Sequence, residues 1–184
     1  MKKLEKKWMS LMKKLNLNLS SLIILFLFSI SFSYSDEKII IEGKAIVLDG
    51  DTIKIKDEKI RFSGIDAPES YYRGKKQTCI ETGNQVFCGQ ISKEKLIEKI
   101  GHNSLNCKIE KNKDRYKRLV GECFLNEQSL SVFMVRNGYA FDWPRYSKKK
   151  FANDQEYAKL NKLGLWNMQF EYPWEWRKKI RENK

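Results

Sequence analysis

After residue 35, the first half of the chain alternates apolar and polar positions with the period of β-strands. In the segment TIKIK, Ile53 and Ile55 fall on one face and lysines on the other, because successive strand residues point to opposite faces. After a KDEK turn, Ile60 and Phe62 resume the alternation. A second hairpin runs from SLNCKIEKN through a KDRYK turn to RLVGECFL. The pattern predicts strands over most of residues 36–125.

Three stretches have helical spacing instead. The first covers about residues 90–100. The second begins after Ser129, a candidate N-cap, and ends at Gly138. The third covers about residues 151–163 and ends at Gly164. The predicted order is three strands, a helix, two strands and two helices, a mainly β or α+β class. Five short strands with a helix between the third and fourth favour a closed five-stranded barrel of the OB type, and a split α+β sheet is the alternative.

The N-terminus has the layout of a secretory signal peptide. A Lys-rich start precedes an apolar run over residues 19–32, and small residues follow at Ser33 and Ser35. We therefore predict a signal peptide over residues 1–35 and a single domain over residues 36–184. The run is short for a bilayer span, which needs about 20 residues. An uncleaved anchor that tethers the chain to a membrane is the alternative.

The four cysteines all follow the signal segment, and their number is even. In an oxidising compartment they predict two disulfides, while their wide, uneven spacing lacks the short C-x-x-C motif of structural zinc sites. Of three connectivities, we predict Cys79–Cys88 and Cys107–Cys123. The second pair flanks the predicted second hairpin, where its members can face each other across two strands.

The formal net charge is +13, and +8 remains after residues 1–35 are set aside. A basic balance favours a polyanionic partner, either nucleic acid or an anionic membrane surface. The chain has one histidine, His102, which argues against a histidine-based nuclease or a zinc hydrolase.

Several charged residues stand where the predicted strands end. Asp51 follows an Asp49-Gly50 pair, which is itself a strong hairpin-turn signal, and Arg61 lies on the third strand. The motif GIDAPES then supplies Asp66 and Glu69. Carboxylates on loops at one edge of a barrel can bind a hard cation such as calcium.

Taken in order, the motifs LDGDTIKI, IRFSGIDAPE, DRYKRLVG, MVRNGYA and YAKLNKLGLW resemble the thermonuclease family, the staphylococcal-nuclease-like nucleases. The resemblance implies an OB barrel with three helices and a calcium-dependent phosphodiesterase. It implies that Asp51, Asp66 and the backbone carbonyl of Ala67 bind calcium. It also implies that Glu69 orients or deprotonates the attacking water.

The same resemblance implies that Arg61 and Arg118 bind phosphate. It gives Tyr116 a contact with nucleotide phosphate and Tyr146 a place beside the base pocket. The chain departs from the family pattern at Lys117, where a glycine usually precedes the second arginine, and at Ala67, where threonine also occurs. It also carries a cysteine-bearing insertion over residues 70–88 whose role the sequence does not indicate.

The resemblance implies an endonuclease that cuts DNA and RNA without sugar specificity and leaves 3′-phosphates. We expect a secreted or periplasmic monomer without an obligate protein partner. A non-catalytic OB module that binds nucleic acid or protein is the alternative, and the complete acid–arginine set favours the enzyme. A membrane-tethered surface protein is a third hypothesis, which rests on the N-terminal segment alone.

Overall fold

The computed structural model describes residues 2–14 and 39–182. The first of these segments is helix α1, Lys2–Lys14, which belongs to a unit separate from the rest of the chain. None of the helices in the two described segments combines the length and apolarity needed to cross a bilayer. The predicted apolar run over residues 19–32 and the predicted cleavage site lie outside the described residues.

The second unit contains the predicted five-stranded barrel. Its strands are β1 (Ile39–Asp49), β2 (Thr52–Ile55), β3 (Glu58–Phe62), β7 (Ser104–Ile109) and β8 (Leu119–Leu125). Neighbours pair antiparallel in the order β3-β2-β1-β7-β8, and a parallel pairing of β3 with β8 closes the barrel. This confirms the OB-type architecture, including the helix α2 (Cys88–Ile100) between the third and fourth barrel strands.

Alternation of side chains fills the barrel core as predicted. Ile53, Ile55, Ile60 and Phe62 are all buried in one apolar cluster. The disulfide Cys107–Cys123 joins β7 to β8 at residues that are register partners, which confirms the predicted pairing.

The other two predicted helices are also present. Helix α3, Leu130–Arg136, begins after Ser129, whose hydroxyl accepts a hydrogen bond from Val132 N at 3.3 Å. Helix α5 spans Ala152–Leu160. The described residues also form elements that periodicity did not predict: the short strands β4 (Ile65–Asp66), β9 (Gln128–Ser129) and β10 (Phe141–Asp142), helix α4 (Pro144–Ser147), a 3-10 turn (Gly164–Asn167) and helix α6 (Pro173–Glu182).

The insertion and the C-terminal segment pack together beside the barrel. We call residues 70–88 and 164–182 the accessory layer. Its insertion folds as a hairpin of β5 (Cys79–Glu81) and β6 (Asn84–Val86), and the predicted disulfide Cys79–Cys88 joins the hairpin to the start of α2.

Two links tie the insertion to the C-terminal segment. Ile80 and Gln169 exchange two backbone hydrogen bonds of 2.9 Å. A second apolar cluster joins Cys79 and Cys88 of the insertion to the buried Phe141 of β10, which contacts aromatic rings of the C-terminal segment: Trp166, Phe170, Tyr172 and Trp174. The accessory layer therefore has its own small core.

Candidate active site

Asp51 lies at the tight turn from β1 to β2, as the sequence predicted. Gly50 is required there, because a Cβ on it would lie 2.2 Å from the Ser92 hydroxyl oxygen. The Asp51 carboxylate is buried, and it accepts hydrogen bonds from Thr52 Oγ1 at 2.8 Å and from Ala67 N at 3.0 Å. The turn thus holds Asp51 against the loop that carries the GIDAPES motif.

Arg61 joins the two predicted calcium-binding aspartates. Its Nη1 pairs with Asp51, and its Nη2 lies 2.6 Å from Asp66 Oδ1. The Asp66 side chain is fully buried, so its charge needs compensation inside the protein. Strands β3 and β4 therefore bring Arg61, Asp51 and Asp66 together, as the spacing of the motif implied.

The loop after β4 places Glu69 beside this cluster. Its backbone is held on both sides by Gln77, whose Oε1 accepts from Glu69 N at 3.1 Å and whose N donates to Glu69 O at 3.0 Å. Gly89 permits the close approach of this loop, because a Cβ there would lie 2.1 Å from Glu69 O. The insertion thus fixes the backbone of a predicted catalytic residue.

Asp49 has a role beyond the turn to which the sequence assigned it. Its Oδ1 accepts hydrogen bonds from Gly50 N at 2.9 Å and from Ser70 N at 3.2 Å, so it ties the turn to the loop that carries Glu69. Burial raises its pKa to about 7, and the charges of Asp51 and Glu69 add to that effect. Asp49 is part of the acidic cluster.

The same environment shifts the other acids in different directions. Burial alone would raise the pKa of Asp51, but Arg61 and the hydrogen bonds from Ala67 and Thr52 outweigh it and hold that pKa below its usual range. Burial raises the pKa of Glu69, and Asp51 adds to this. Burial likewise raises the pKa of Asp66, against the opposing effect of Arg61. Local pairing therefore decides which carboxyl holds its charge most firmly.

A residue that the sequence analysis missed, Arg177 of helix α6, lies inside the cluster. Its Nη2 is 2.7 Å from Asp66 Oδ2, and its Nη1 is 3.1 Å from Asp66 Oδ1 and 2.5 Å from Glu69 Oε1. Although burial opposes the charged form, Asp66 and Glu69 raise the pKa of Arg177. The sequence signal was slight: an arginine in an aromatic-rich tail, PWEWRKK, whose neighbouring lysines look equally available.

Arg118 reaches the cluster through Thr52. Asp114 holds its guanidinium with contacts of 2.8 Å to Nε and 2.7 Å to Nη2, and Nη1 lies 3.3 Å from Thr52 Oγ1. Thr52 in turn donates to Asp51. Lys117, just before Arg118, has a φ of +61°, in the left-handed region that favours glycine. The departure from the family pattern is thus tolerated without losing the placement of Arg118.

The two predicted nucleotide-contacting tyrosines are both exposed. Tyr116 stands on the β7–β8 turn, with the Arg118 guanidinium 5.4 Å from its ring. Tyr146 packs on Trp143 with ring centroids 4.4 Å apart. The guanidinium of Arg61 lies 5.9 Å from the Trp143 ring, so both tyrosines border the charged cluster.

The donor chemistry of the cluster fits a hard divalent cation. Asp49, Asp51, Asp66 and Glu69 meet two guanidiniums, those of Arg61 and Arg177, so that full ionisation leaves two negative charges uncompensated. Within the two described segments, no three acidic, histidine or cysteine side chains are already grouped as a metal site. The guanidiniums stand between the carboxylates.

Comparison with known proteins relates this chain to a known family. A family model described as "Staphylococcal nuclease homologue" matches residues 59–168. The chain is 33% identical over 135 residues to "Succinoglycan biosynthesis protein ExoI" of Rhizobium meliloti, which covers 72% of this chain and 68% of that protein. It is 30% identical over 145 residues to "Uncharacterized endonuclease" of Haemophilus influenzae, covering 74% and 72%.

A plant relative shows the same relationship over part of its length. The chain is 29% identical over 146 residues to "Staphylococcal-like nuclease CAN1" of Arabidopsis thaliana. That alignment covers 78% of this chain and 41% of the plant protein, so the chain spans about two fifths of this relative. Arg177, Asp49 and Asp51 lie outside the residues that the family model matches, whereas Arg61, Asp66 and Glu69 lie inside them.

Proposed function

The chain belongs to the staphylococcal nuclease homologue family, and from that membership we propose that it is a calcium-dependent endonuclease that hydrolyses both DNA and RNA. Its class is that of a hydrolase acting on phosphodiester bonds. The finer proposal includes sugar-non-specific cleavage that leaves 3′-phosphates. The observation that carries it is the convergence of Asp51, Arg61, Asp66 and Glu69 at one edge of the barrel, with Arg118 linked through Thr52.

Calcium would be held by Asp51, Asp66 and the backbone carbonyl of Ala67. These are the hard oxygen donors that calcium prefers, and the surplus negative charge of the cluster favours a divalent cation. When bound, the ion would supply Lewis-acid polarisation of the phosphate and compensate its charge.

The protein's own residues would perform the remaining steps. Glu69, held by Gln77, would accept a proton from the attacking water, since a carboxylate at hydrogen-bond reach of that water can act as a general base. Arg61 and Arg118 would bind phosphate oxygens and stabilise the charge that develops on the pentacoordinate phosphorus. Arginine suits this task because its planar fork can donate to two oxygens at once.

Further substrate contacts would come from the exposed tyrosines and from basic surface. Tyr116 would contact a nucleotide phosphate, and Tyr146 presents a face on which a base can stack. Exposed lysines would hold the polymer through its phosphates without reading its sequence. We propose that the protein acts as a monomer in this role.

The two disulfides support a secreted or periplasmic location, because such bonds persist in oxidising compartments. A signal peptide or N-terminal tether over residues 1–35 remains our proposal. N-terminal sequencing of the exported protein would test it: a first residue at position 36 is expected, and an intact Met1 would favour the anchor.

Cleavage of fluorescent single-stranded DNA and RNA across a series of divalent metals tests the activity. We expect calcium-dependent cleavage by the full chain and a loss of at least about 100-fold in kcat in Glu69→Gln and Arg118→Ala. The matched controls are Glu58→Gln and Arg136→Ala, which alter exposed residues outside the cluster. Full activity in folded Glu69→Gln protein would reject the assignment of the base.

The same assay separates the enzyme from a non-catalytic OB module. A folded wild-type chain that binds these oligonucleotides but cuts none of them with any metal would favour the module. Product analysis completes the test, because 3′-phosphates are expected and 5′-phosphates would contradict the proposed direction of cleavage.

A further inference from the structure

We propose that Arg177 is a positioning residue of the active site, which orients the Glu69 carboxylate from a helix outside the barrel. The accessory layer is the element that delivers it. This inference rests on the proposed function, since orientation of Glu69 matters only if Glu69 acts on a water.

The geometry of Arg177 is that of a built contact. The guanidinium makes a two-point contact with Asp66, at 2.7 and 3.1 Å, and a third contact of 2.5 Å with Glu69 Oε1. Its side chain is 11% exposed and that of Glu69 is 17% exposed, so this is not a solvent-screened surface pair. Charges buried to this degree are stable only when paired and hydrogen-bonded. The guanidinium thus links one oxygen of the Glu69 carboxylate to the Asp66 carboxylate, which it holds at both oxygens.

The contact is specific to one residue of the helix. Lys178, Lys179 and Arg181 follow Arg177 on α6, yet their side chains lie toward solvent. Arginine is required there, because a lysine ammonium cannot bridge two carboxylates with a planar fork.

Aromatic packing fixes where α6 begins. Trp174 stacks on Trp143, with ring centroids 6.0 Å apart and planes within 6°. The Arg177 guanidinium lies 5.7 Å from the same Trp143 ring, and that of Arg61 lies 5.9 Å from it. Cation–π contacts of this kind favour a guanidinium held beside an aromatic face. Trp143 therefore lies beside both guanidiniums of the cluster.

The insertion holds both ends of the Arg177–Glu69 contact. Gln77 brackets the Glu69 backbone, and its Nε2 donates to Glu171 O at 2.8 Å, two residues before α6 begins. Ile80 pairs with Gln169 through backbone hydrogen bonds, and the Cys79–Cys88 disulfide fixes the hairpin that carries Ile80. One segment thus sets the distance between the loop of Glu69 and the helix of Arg177.

Arg177 acts through Glu69 rather than directly on a substrate. Among the residues that the structure describes, its recorded hydrogen bonds go to Asp66 and Glu69 alone. Loss of the guanidinium would leave the phosphate-binding arginines in place while freeing the Glu69 side chain. The expected kinetic signature is a fall in kcat with little change in KM.

Steady-state cleavage of single-stranded DNA by the full chain tests this. We expect Arg177→Gln to lower kcat by about 100-fold, the effect of misplacing a catalytic group by about 1 Å, with KM changed less than about threefold. Arg177→Lys should retain an intermediate kcat. In Arg177→Ala, added guanidinium ion at low millimolar concentration should restore part of the lost rate. Arg181→Gln, an exposed change one turn further along α6, is the matched control and should match the wild type.

A second measurement does not depend on activity. In EDTA, the unfolding midpoints of Arg177→Gln, Glu69→Gln and the double variant form a double-mutant cycle. The proposed contact predicts that Arg177→Gln costs less stability in the Glu69→Gln background than in the wild type. Additive changes in stability would overturn the contact.

The outcomes separate the two proposals. Cleavage by the wild type together with an unchanged or raised kcat in folded Arg177→Gln protein overturns the positioning role alone. A raised kcat would mean that Arg177 restrains the site. No cleavage by the wild type with any metal overturns the proposed function, and the catalytic role of Arg177 falls with it.

Discussion

The barrel and the accessory layer supply charges to the same cluster but are held together in different ways. Strand register fixes the barrel, where the β1–β2 turn, β3 and β4 carry Asp51, Arg61 and Asp66 within a short stretch of sequence. The accessory layer is held by one disulfide, a few backbone bonds and aromatic rings around Phe141. The comparison teaches that a barrel can hold part of a site while a separate layer supplies a further charged group.

The largest expected difference between the barrel and the accessory layer is in the stability lost when each of the two arginines that bind Asp66 is replaced. Arg61→Met leaves the buried Asp51 without a cationic partner among the described residues and should lower the free energy of unfolding by about 3–5 kcal/mol. Arg177→Met should cost less, about 1–3 kcal/mol, because Asp66 keeps Arg61. Urea unfolding in EDTA measures both.

Arg136→Met is the control for this pair, since its partner Asp154 is at the surface and the expected loss is below about 1 kcal/mol. Equal losses of unfolding free energy in Arg61→Met and Arg177→Met would contradict the proposed difference between the barrel and the accessory layer. If Arg61→Met lost no more unfolding free energy than Arg136→Met, the Asp51 charge would have to be compensated or neutralised without Arg61.

Removal of the disulfides separates the two regions further. Replacing both cysteines of each pair by alanine should cost about 3 kcal/mol by loop-closure entropy, since the bridges span 9 and 16 residues. Without Cys107–Cys123 the barrel itself should unfold more readily. Without Cys79–Cys88 the loss should fall mainly on residues 164–182, because the hairpin that pairs with Gln169 is freed.

Hydrogen exchange followed by mass spectrometry resolves this difference segment by segment. Faster exchange confined to the accessory layer in the Cys79/Cys88 variant is expected. Uniformly faster exchange across both regions would mean that barrel and layer unfold as one unit.

The pH dependence of stability probes the junction between the regions at Asp49. Its folded pKa of about 7 exceeds the ordinary value of 3.8, so the folded state favours the protonated form. This contribution is fully present below about pH 4 and is lost as the pH rises to about 7. Asp49→Asn keeps an oxygen that can accept a hydrogen bond from Ser70 N but removes the titrating carboxyl. The free energy of unfolding of this variant, relative to that of the wild type, should therefore rise between about pH 4 and pH 7 and stay constant above pH 7.

Urea unfolding at intervals from pH 4 to pH 8, in EDTA, gives the two profiles. Asp57→Asn makes the same chemical change at a fully exposed hairpin tip and serves as the control. Parallel profiles for wild type and Asp49→Asn would contradict the placement of this carboxyl in the acidic cluster.

The barrel could be predicted because the pattern that determines it is local, and its charged residues could be predicted because they stand in short contiguous motifs. Alternation at Ile53 and Ile55 determines which face is buried. The roles of Arg61 and Asp66 followed from the resemblance of their motif to a known family, and the structure joins the two side chains. Pairing of Cys107 with Cys123 followed from the hairpin between them.

Arg177 could not be predicted in this way, because it meets Asp66 across 111 residues of sequence. Its partner segment is stabilised by aromatic contacts that follow no period, and its neighbouring lysines carry the same charge. Asp49 was missed for another reason: a turn signal explained it fully, and only the fold shows its hydrogen bond to Ser70. Local pattern predicts a scaffold, whereas non-local packing decides which of several like charges enters a site.

The smallest expected effect concerns Lys117, where local pattern and fold disagree. A φ of +61° strains a residue with a side chain by about 1–2 kcal/mol, and glycine would remove that strain while losing part of the gain to its greater freedom in the unfolded chain. Lys117→Gly should therefore stabilise the protein by less than about 1 kcal/mol, measured by urea unfolding. Gly121→Ala in β8 is the opposing control, because its Cβ would lie 2.7 Å from Lys108 O. Destabilisation by Lys117→Gly would mean that the lysine side chain itself supports the turn that carries Arg118. The barrel would then depend on a specific side-chain contact, as the accessory layer does.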